Sequence, residues 1–319
     1  MAGTATWRWL PLVVAAVLAV LPSVLTPYTS DLVTKIIVLA VFALSLELLV
    51  GMTGLVSLGH AAFLGIGAYT AVLASPEYDA ANPLLLGFAC VGAAATYALF
   101  VGALSLRTRG VYFIMVTLAF AQMAYFVFHD TPLGGGTDGI YLNARPALGD
   151  FDSGEKLHFY YLALAALVGT YGLLALLRRS RFGHALAGIR VNEQRMRAAG
   201  FATYLYKLAA FVLAGALAGL AGFLLAVKDG YVNPELLSWH ESGAVLLMII
   251  LGGIGHLRGA VIGAAAFVLL KELYATPAIV GEVLAQHWQL TLGFTIIAFV
   301  ALLPRGLIGL SARLRAVTR

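Results

Sequence analysis

Long apolar runs constrain this chain more than any other feature of its sequence. Hydrophobic residues make up 61% of the 319 residues and charged residues only 11%, whereas about 25% of an average soluble protein is charged. A bilayer core about 30 Å thick needs about 20 apolar residues per helix. Ten segments meet or approach that length, at about 10–27, 32–50, 55–75, 83–105, 111–129, 158–177, 206–226, 242–255, 260–276 and 289–304. The sequence therefore predicts an all-α integral membrane protein with about ten transmembrane or re-entrant helices.

The charges of the connecting loops predict the orientation of these segments. If the segments alternate in direction, fifteen of the twenty basic residues lie on one face: Arg8, Arg107, Arg109, Arg178, Arg179, Arg181, Arg190, Arg195, Arg197, Lys207, Arg258, Arg305, Arg313, Arg315 and Arg319. The opposite loops hold only Arg145, Lys156 and Lys228, with twelve of the fifteen carboxylates. Basic loops stay in the cytoplasm, so both termini are predicted to be cytoplasmic. A span wrongly added or lost would mix the charges of every later loop, which supports the count.

We expect residues 1–319 to form a single transmembrane domain, with an outer loop at about 130–157 and a cytoplasmic loop at about 178–205.

The only cysteine, Cys90, lies in an apolar run, so neither a disulfide framework nor a thiolate metal site is predicted. No Gly-Lys dipeptide occurs, which excludes a P-loop for ATP phosphates in this chain. Paired carboxylates, metal-ligand spacings and a nucleophile with a base are also missing from the sequence. We therefore predict no catalytic residue, no metal site and no cofactor bound by this chain. The net charge of +5 is explained by the loop distribution, so a nucleic-acid partner is not predicted.

Two glycine-rich junctions interrupt the apolar pattern on the predicted inner face. One reads "VGMTGLVS" and carries no charge; the other reads "LGGIGHLRGAVIG" and carries only Arg258. Irregular backbone at membrane depth is tolerated where protein buries it or water reaches it, and transporters place such breaks beside the substrate path. The sequence predicts breaks at 51–59 and 252–259, near a pathway or a subunit interface, with the candidate residues Gly54, Ser57, Gly59, His60, Gly252 and Gly255. The His60 imidazole either bonds a neighbouring carbonyl in a packed core or faces the path.

The cytoplasmic loop contains an amphipathic segment, "SRFGHALAGIRVNEQRMRAAGFATYLYK", which begins at Ser180. At helical spacing, Leu186, Ile189 and Met196 share one face, and Gly200 supplies a stop. Two interpretations are open. The segment is either a surface helix at anionic headgroups with snorkelling arginines, or a docking helix whose apolar face enters a groove on a cytoplasmic partner.

Several motifs together resemble one known family. The segment "GIRVNEQRMRAAGFATYLYKLAAFVLAGALAGLAG" is joined, in family order, by "SLGHAAFLGIGAYTAVL", "RGVYFIMVTLAFAQM", "GGTDGI", "LGGIGHLRGAVIGA" and "PRGLIGL". These motifs span about residues 31–311 and resemble the LIV-type permeases of branched-chain amino acid ABC importers, of the M-type subunit. The cytoplasmic motif matches at Ile189, Arg190, Asn192, Glu193, Gly200, Lys207, Leu208, Ala210 and Phe211. It departs from the family pattern at His184, Gly188 and Val191, which puts individual ion pairs to a partner in question.

The resemblance implies an assembly and a location. The chain would pair with a second permease subunit in a bacterial-type plasma (inner) membrane, above two ABC ATPase subunits that bind ATP, and a substrate-binding protein would deliver branched-chain or related amino acids from outside. The residues expected to couple to the ATPases are Ile189, Arg190, Asn192, Glu193, Arg197 and Gly200. On the outer side, the turn "GGGTDGIYLN" is either a tight surface turn or places Thr137, Asp138 and Gly139 at the outer mouth or against the binding protein.

The main alternative is a gradient-driven secondary transporter or channel for a small neutral solute. Such carriers place ionisable groups within their spans, and the candidates here are few: Lys35, Glu47, His60, Lys271 and Glu272. Snorkelling explains the lysines, and pairing between helices explains the carboxylates. A membrane enzyme is a weaker third interpretation.

Overall fold

A computed structural model describes residues 6–23, 25–76, 79–149, 151–277, 281–282, 286–303 and 306–309. Twelve helices are numbered here: α1 (Thr6–Val20), α2 (Pro27–Glu47), α3 (His60–Leu73), α4 (Pro83–Ser105), α5 (Val111–Asp130), α6 (Lys156–Arg179), α7 (Arg181–Val191), α8 (Glu193–Ala198), α9 (Thr203–Asp229), α10 (Trp239–Gly252), α11 (Leu257–Ala275) and α12 (Trp288–Leu302). A π-helical turn, Leu48–Thr53, continues α2, and 3-10 turns cover Leu21–Ser23, Pro132–Gly134, Gly136–Asp138 and Pro234–Leu237. Four two-residue strands form two antiparallel pairs, β1 (Ile140–Tyr141) with β4 (Tyr231–Val232) and β2 (Ala147–Leu148) with β3 (Phe151–Asp152).

Two of the long helices begin with the same local signal. Thr26 precedes Pro27 at the start of α2, and Asn82 precedes Pro83 at the start of α4. Each cap side chain accepts a hydrogen bond from a backbone N–H of the first turn, and proline suits the first helical position because its missing N–H would have no partner there.

The described residues contain fewer full spans than the sequence predicts. Six helices are long and apolar enough to cross a membrane, or seven if one bent pair is counted as a single span. That pair is α10 and α11, whose axes differ by 115° at a short break. The helix α3 has 14 residues, and the apolar part of the first segment covers Val13–Ser23. An all-α membrane protein is confirmed, whereas the count of ten is not.

The bent pair is either a broken span or a re-entrant loop, and both differ from the two complete spans that the sequence predicts. A re-entrant pair leaves every later loop on the same side as two complete spans do, so the loop charges cannot distinguish those two arrangements. Gly253 and Gly255 adopt φ of 115° and 89° at the bend, and such positive values favour glycine because it has no Cβ.

Loops predicted to share a face do contact one another. On the predicted outer face, β1 pairs with β4, the Ala147 N–H donates to the Ala81 carbonyl over 3.0 Å, and the Lys228 ammonium lies 3.4 Å from the Asp31 carboxylate. At the other end of the helices, the Tyr204 hydroxyl donates to the carbonyl of Ala103 over 2.9 Å. The cytoplasmic orientation of the termini stays a prediction, and Pro304, Arg305 and residues 310–319 lie outside the described residues.

The helix α9 forms the centre of the packing, against α3 and α4. A Cβ added at Gly215 or Gly219 would collide with an alanine of α4, and one at Gly222 would collide with the Leu64 carbonyl of α3. Gly67 of α3 in turn lies directly against the Gly219 backbone. Small residues allow such close approach of helices, where dispersion contacts replace the hydrophobic effect that lipid cannot supply. The small-residue pattern of α9 thus serves packing within the chain.

Candidate functional site

The predicted coupling loop folds as two short helices rather than one. The Ser180 hydroxyl caps α7 by accepting from the Gly183 N–H over 3.2 Å. Asn192 has extended backbone that ends α7, and its side chain caps α8 by accepting from the Arg195 N–H over 2.9 Å. Short polar side chains at such positions replace the missing backbone partners of a helix start. Gly200 then has a φ of 87°, which ends the segment before α9.

The apolar face of α7 is covered by the chain itself. Leu186 is fully buried and Ile189 is 4% exposed, and α7 contacts α6, α9 and the π-helical turn. The apolar face of α7 therefore does not enter a groove on a partner, as one interpretation of the sequence predicted. It packs instead against the π-helical turn that follows α2. The surface left to a partner is mainly polar, with Val191 85% exposed and Phe201 39% exposed.

Glu193 is the centre of a polar cluster that ties α8 to α9. Its carboxylate lies 3.0 Å from the Lys207 ammonium and 2.6 Å from the Arg197 guanidinium, and it accepts from the Thr203 hydroxyl over 3.1 Å. Partial burial alone would raise the pKa of Glu193, but Lys207, Arg197 and Thr203 hold that pKa below its ordinary value. Two of the predicted coupling residues, Glu193 and Arg197, thus also brace the loop internally.

Arg190 points from α7 into the first glycine-rich junction. Its guanidinium donates to the Gly51 carbonyl, and its aliphatic stem passes over Gly54, whose φ is 74°. A Cβ added at Gly255 would lie 3.8 Å from the same guanidinium. One side chain of α7 therefore reaches both junctions.

Glu47 joins the two junctions directly. Its side chain is buried between helices, and its Oε1 accepts from the Gly255 N–H over 2.7 Å. The carboxylate lies over Gly51, where any Cβ would collide with it. The sequence predicts that Glu47 pairs between helices but does not identify Gly255 as the partner, since 208 positions separate the two residues. The sequence signal available for this contact was the spacing of the glycines in the two junctions.

The first junction is irregular; Gly51, Ser57 and Gly59 are buried, whereas Gly54 is exposed. After the π-helical turn, Gly54 has left-handed backbone, and the buried Ser57 hydroxyl accepts from the Gly59 N–H over 3.2 Å. A Cβ at Gly59 would collide with the Thr117 carbonyl of α5. The start of α3 is capped from another helix, because the Ala61 N–H donates to the Ser242 hydroxyl of α10 over 2.9 Å. No sequence motif pointed to Ser242 as the cap of α3. A role of this junction at a pathway stays a prediction.

His60 lies in a packed aromatic core. It is fully buried, and its Nε2 is 2.8 Å from the Ser45 hydroxyl of α2. The imidazole stacks on Phe42 at 5.5 Å between ring centroids and meets Phe63 edge-on at 5.6 Å. Its Nδ1 has no hydrogen-bond partner among the described residues. The imidazole therefore bonds a hydroxyl, rather than the carbonyl that the sequence suggested.

The second junction brings α10 and α11 into backbone contact. A Cβ at Gly252 would collide with the Gly259 carbonyl, and one at Gly263 would collide with the Met248 carbonyl. The tight hairpin depends on these glycines, since any larger residue would force the two helices apart.

The outer turn stands on the β1–β4 pair. The Thr137 and Asp138 side chains are exposed, and Gly139, with a φ of 71°, packs against the Val232 backbone. Below the turn, the Tyr69 hydroxyl donates to the Gly134 carbonyl over 3.3 Å, and its ring stacks on Phe128. Two exposed polar side chains are therefore presented on an anchored backbone.

Within the described ranges, no group of three His, Cys, Asp or Glu side chains could hold a metal ion.

Comparison with known proteins gives consistent matches. Residues 28–301 match the family model described as a branched-chain amino acid transport system permease component. The LivM high-affinity branched-chain amino acid permease protein of Escherichia coli K12 is 30% identical, over 96% of this chain and 76% of LivM. Its Salmonella typhimurium counterpart is 30% identical, over 87% of this chain and 69% of its own. The L-arabinose ABC transporter permease protein AraH of Azospirillum brasilense is 26% identical, over 62% and 59%. No solved structure matches.

Proposed function

This chain belongs to the family of branched-chain amino acid transport permeases and is a transmembrane permease subunit of an ABC importer, and we propose that its cargo is a branched-chain or closely related amino acid. In this proposal it forms the path with a second permease, in a bacterial plasma membrane with both termini cytoplasmic. Two ATPases bind and hydrolyse ATP, and a binding protein delivers the substrate. The chain itself performs no catalysis.

The anchored cytoplasmic surface of α7 and α8 carries the proposal of ATPase docking. Glu193 binds Lys207, Arg197 and Thr203, so α8 is held to the long membrane helix α9. Arg190 holds α7 to the end of α2. A surface that is fixed at both ends to membrane helices can transmit a movement of the ATPases to those helices. Asn192 and Gly200 would shape the exposed turns that the motor contacts.

The choice of cargo rests on the comparisons. The names of the two LivM proteins specify branched-chain amino acids, and both proteins align over most of this chain. The name of AraH specifies L-arabinose, and AraH aligns over less of this chain. A small zwitterion also suits a permease whose binding protein performs most of the recognition, since the spans carry few ionisable groups.

Reconstitution tests both parts of the proposal. The chain is co-expressed with its candidate partner subunits, placed in proteoliposomes with ATP inside, and supplied with labelled leucine or labelled arabinose on the binding-protein side. We expect leucine uptake that needs ATP and persists when ionophores collapse all ion gradients. Uptake without the ATPases would contradict the importer assembly, and uptake of arabinose in preference to leucine would contradict the cargo.

The outer turn supplies a separate test of the binding-protein contact. We expect Thr137→Ala to weaken docking of the binding protein and to lower uptake, because Thr137 is exposed on an anchored turn. The control is Thr96→Ala, whose hydroxyl is exposed on α4 and bonds only the Gly92 carbonyl of its own helix. Docking and uptake that match in the two variants would contradict a role of the turn.

A further inference from the structure

The contacts around Glu47 join three parts of the chain that belong to different stages of transport. The π-helical turn at 48–53 follows Glu47 and ends the long helix α2. The helix α7 belongs to the cytoplasmic surface, and the hairpin of α10 and α11 lies within the apolar part of the chain. Single π-helical turns inside helices occur frequently at functional sites.

Each link of this junction is a specific hydrogen bond. The Arg190 guanidinium of α7 donates to the Gly51 carbonyl of the π-helical turn. The Glu47 Oε1 atom, at the start of the same turn, accepts the N–H of Gly255, which lies in the bend between α10 and α11. Both links end on backbone groups, so a displacement of α7 is passed to the main chain of the turn and then to that of the bend.

The junction has little freedom to absorb such a displacement. Glu47 is 2% exposed, and its carboxylate is pressed over Gly51, which has no side chain to yield. Its Oε2 atom is buried without a hydrogen-bond partner among the described residues. A buried acceptor left in this condition is costly.

We propose that Glu47 is a positioning residue that couples movement of the cytoplasmic helix α7 to the α10–α11 hairpin during transport. The inference rests on the proposed function, because it needs an ATPase that moves α7. Glu47 contacts neither cargo nor nucleotide in this scheme; it acts through Gly51 and Gly255. Loss of the link leaves ATP hydrolysis running without productive movement of the hairpin.

The test compares cargo transported per ATP hydrolysed in the complete reconstituted importer. We expect Glu47→Ala to lower this ratio by about tenfold, which is the order of effect expected when one hydrogen bond to a charged acceptor is lost. Glu47→Gln should keep the ratio within about twofold of wild type, because the amide oxygen can accept the same Gly255 N–H. A merely structural role would reduce uptake and hydrolysis together and leave their ratio unchanged.

Arginine variants give a second, independent measurement if Glu47→Ala does not assemble. Arg190 is exposed on α7, so Arg190→Ala should assemble and lower the ratio as Glu47→Ala does. The matched control is Arg107→Ala, an exposed arginine between α4 and α5 and outside α7 and α8, which should leave the ratio unchanged. An unchanged ratio in Arg190→Ala, or equal losses in Glu47→Gln and Glu47→Ala, would overturn the inference while wild-type uptake upholds the proposed function. Wild-type complex without ATP-dependent uptake would overturn both.

Discussion

Replacement of Glu193 by glutamine should destabilise the protein through the lysine that it leaves behind. The Lys207 side chain is 6% exposed, and its ammonium lies 3.0 Å from the Glu193 carboxylate. Removal of one partner of a fully buried ion pair costs about 3–5 kcal/mol. Glu193 is itself 22% exposed, so water offsets part of the loss, and we expect about 2–3 kcal/mol. At about 2–4 °C per kcal/mol, the melting midpoint in detergent should fall by roughly 4–12 °C.

A double-mutant cycle separates this ion pair from general damage. Lys207→Met should cost less than Glu193→Gln, because Glu193 keeps Arg197 and Thr203 as partners. The double variant should cost less than the sum of the two, because no unpaired ammonium remains. The control is Glu155→Gln, whose carboxylate is 59% exposed and pairs only at the surface with His158. Additive costs in the cycle, or a midpoint for Glu193→Gln equal to that of the control, would refute the reasoning.

Three further predictions concern packing, the buried histidine and pH. Gly67→Ala should cost about 1–3 kcal/mol, because its Cβ meets the backbone of α9, whereas Gly172→Ala, which faces open space, should stabilise by about 0.5–1 kcal/mol; equal melting midpoints would contradict the packing. Ser45→Ala should cost about 1–3 kcal/mol by leaving the His60 imidazole without its hydroxyl partner, and a changed cargo preference per assembled complex would contradict a core position. Because the Glu193 pKa is lowered from its ordinary value of 4.5, its stabilising effect is present above that pH and is lost as the pH falls through the folded pKa. The difference in melting midpoint between wild type and Glu193→Gln should therefore shrink as the pH falls below 4.5, and a constant difference would contradict the lowered pKa.

The cytoplasmic loop shows where pattern reading succeeds and where it stops. Helical spacing correctly grouped Leu186 and Ile189 on one apolar face. Spacing cannot tell what covers such a face, because a partner and the chain's own helices offer the same apolar surroundings. The structure shows the chain's own helices, with Ile189 4% exposed. Whether the remaining polar surface meets an ATPase stays a prediction.

The glycine-rich junctions illustrate a similar limit. The uncharged segment before His60 indicated irregular backbone, since a turn in water would normally carry polar residues. The sequence does not show why each of these positions is glycine, because that depends on which atom a Cβ at the position would contact. Gly51 makes room for the Glu47 carboxylate and Gly59 for the Thr117 carbonyl, and these neighbours come from different stretches of the chain.

The sequence by itself determined the membrane class, the grouping of loops into two faces and the family. These follow from local composition, from the cost of polar groups in lipid and from motifs that are contiguous in the chain. Only the tertiary structure decided that α10 and α11 form a bent pair, that His60 bonds Ser45 and that Glu47 binds Gly255. Gly51 and Arg190 are 139 positions apart in the chain and come into contact only when the helices pack. Such contacts depend on which helices pack against one another, and the local sequence does not show which helices these are.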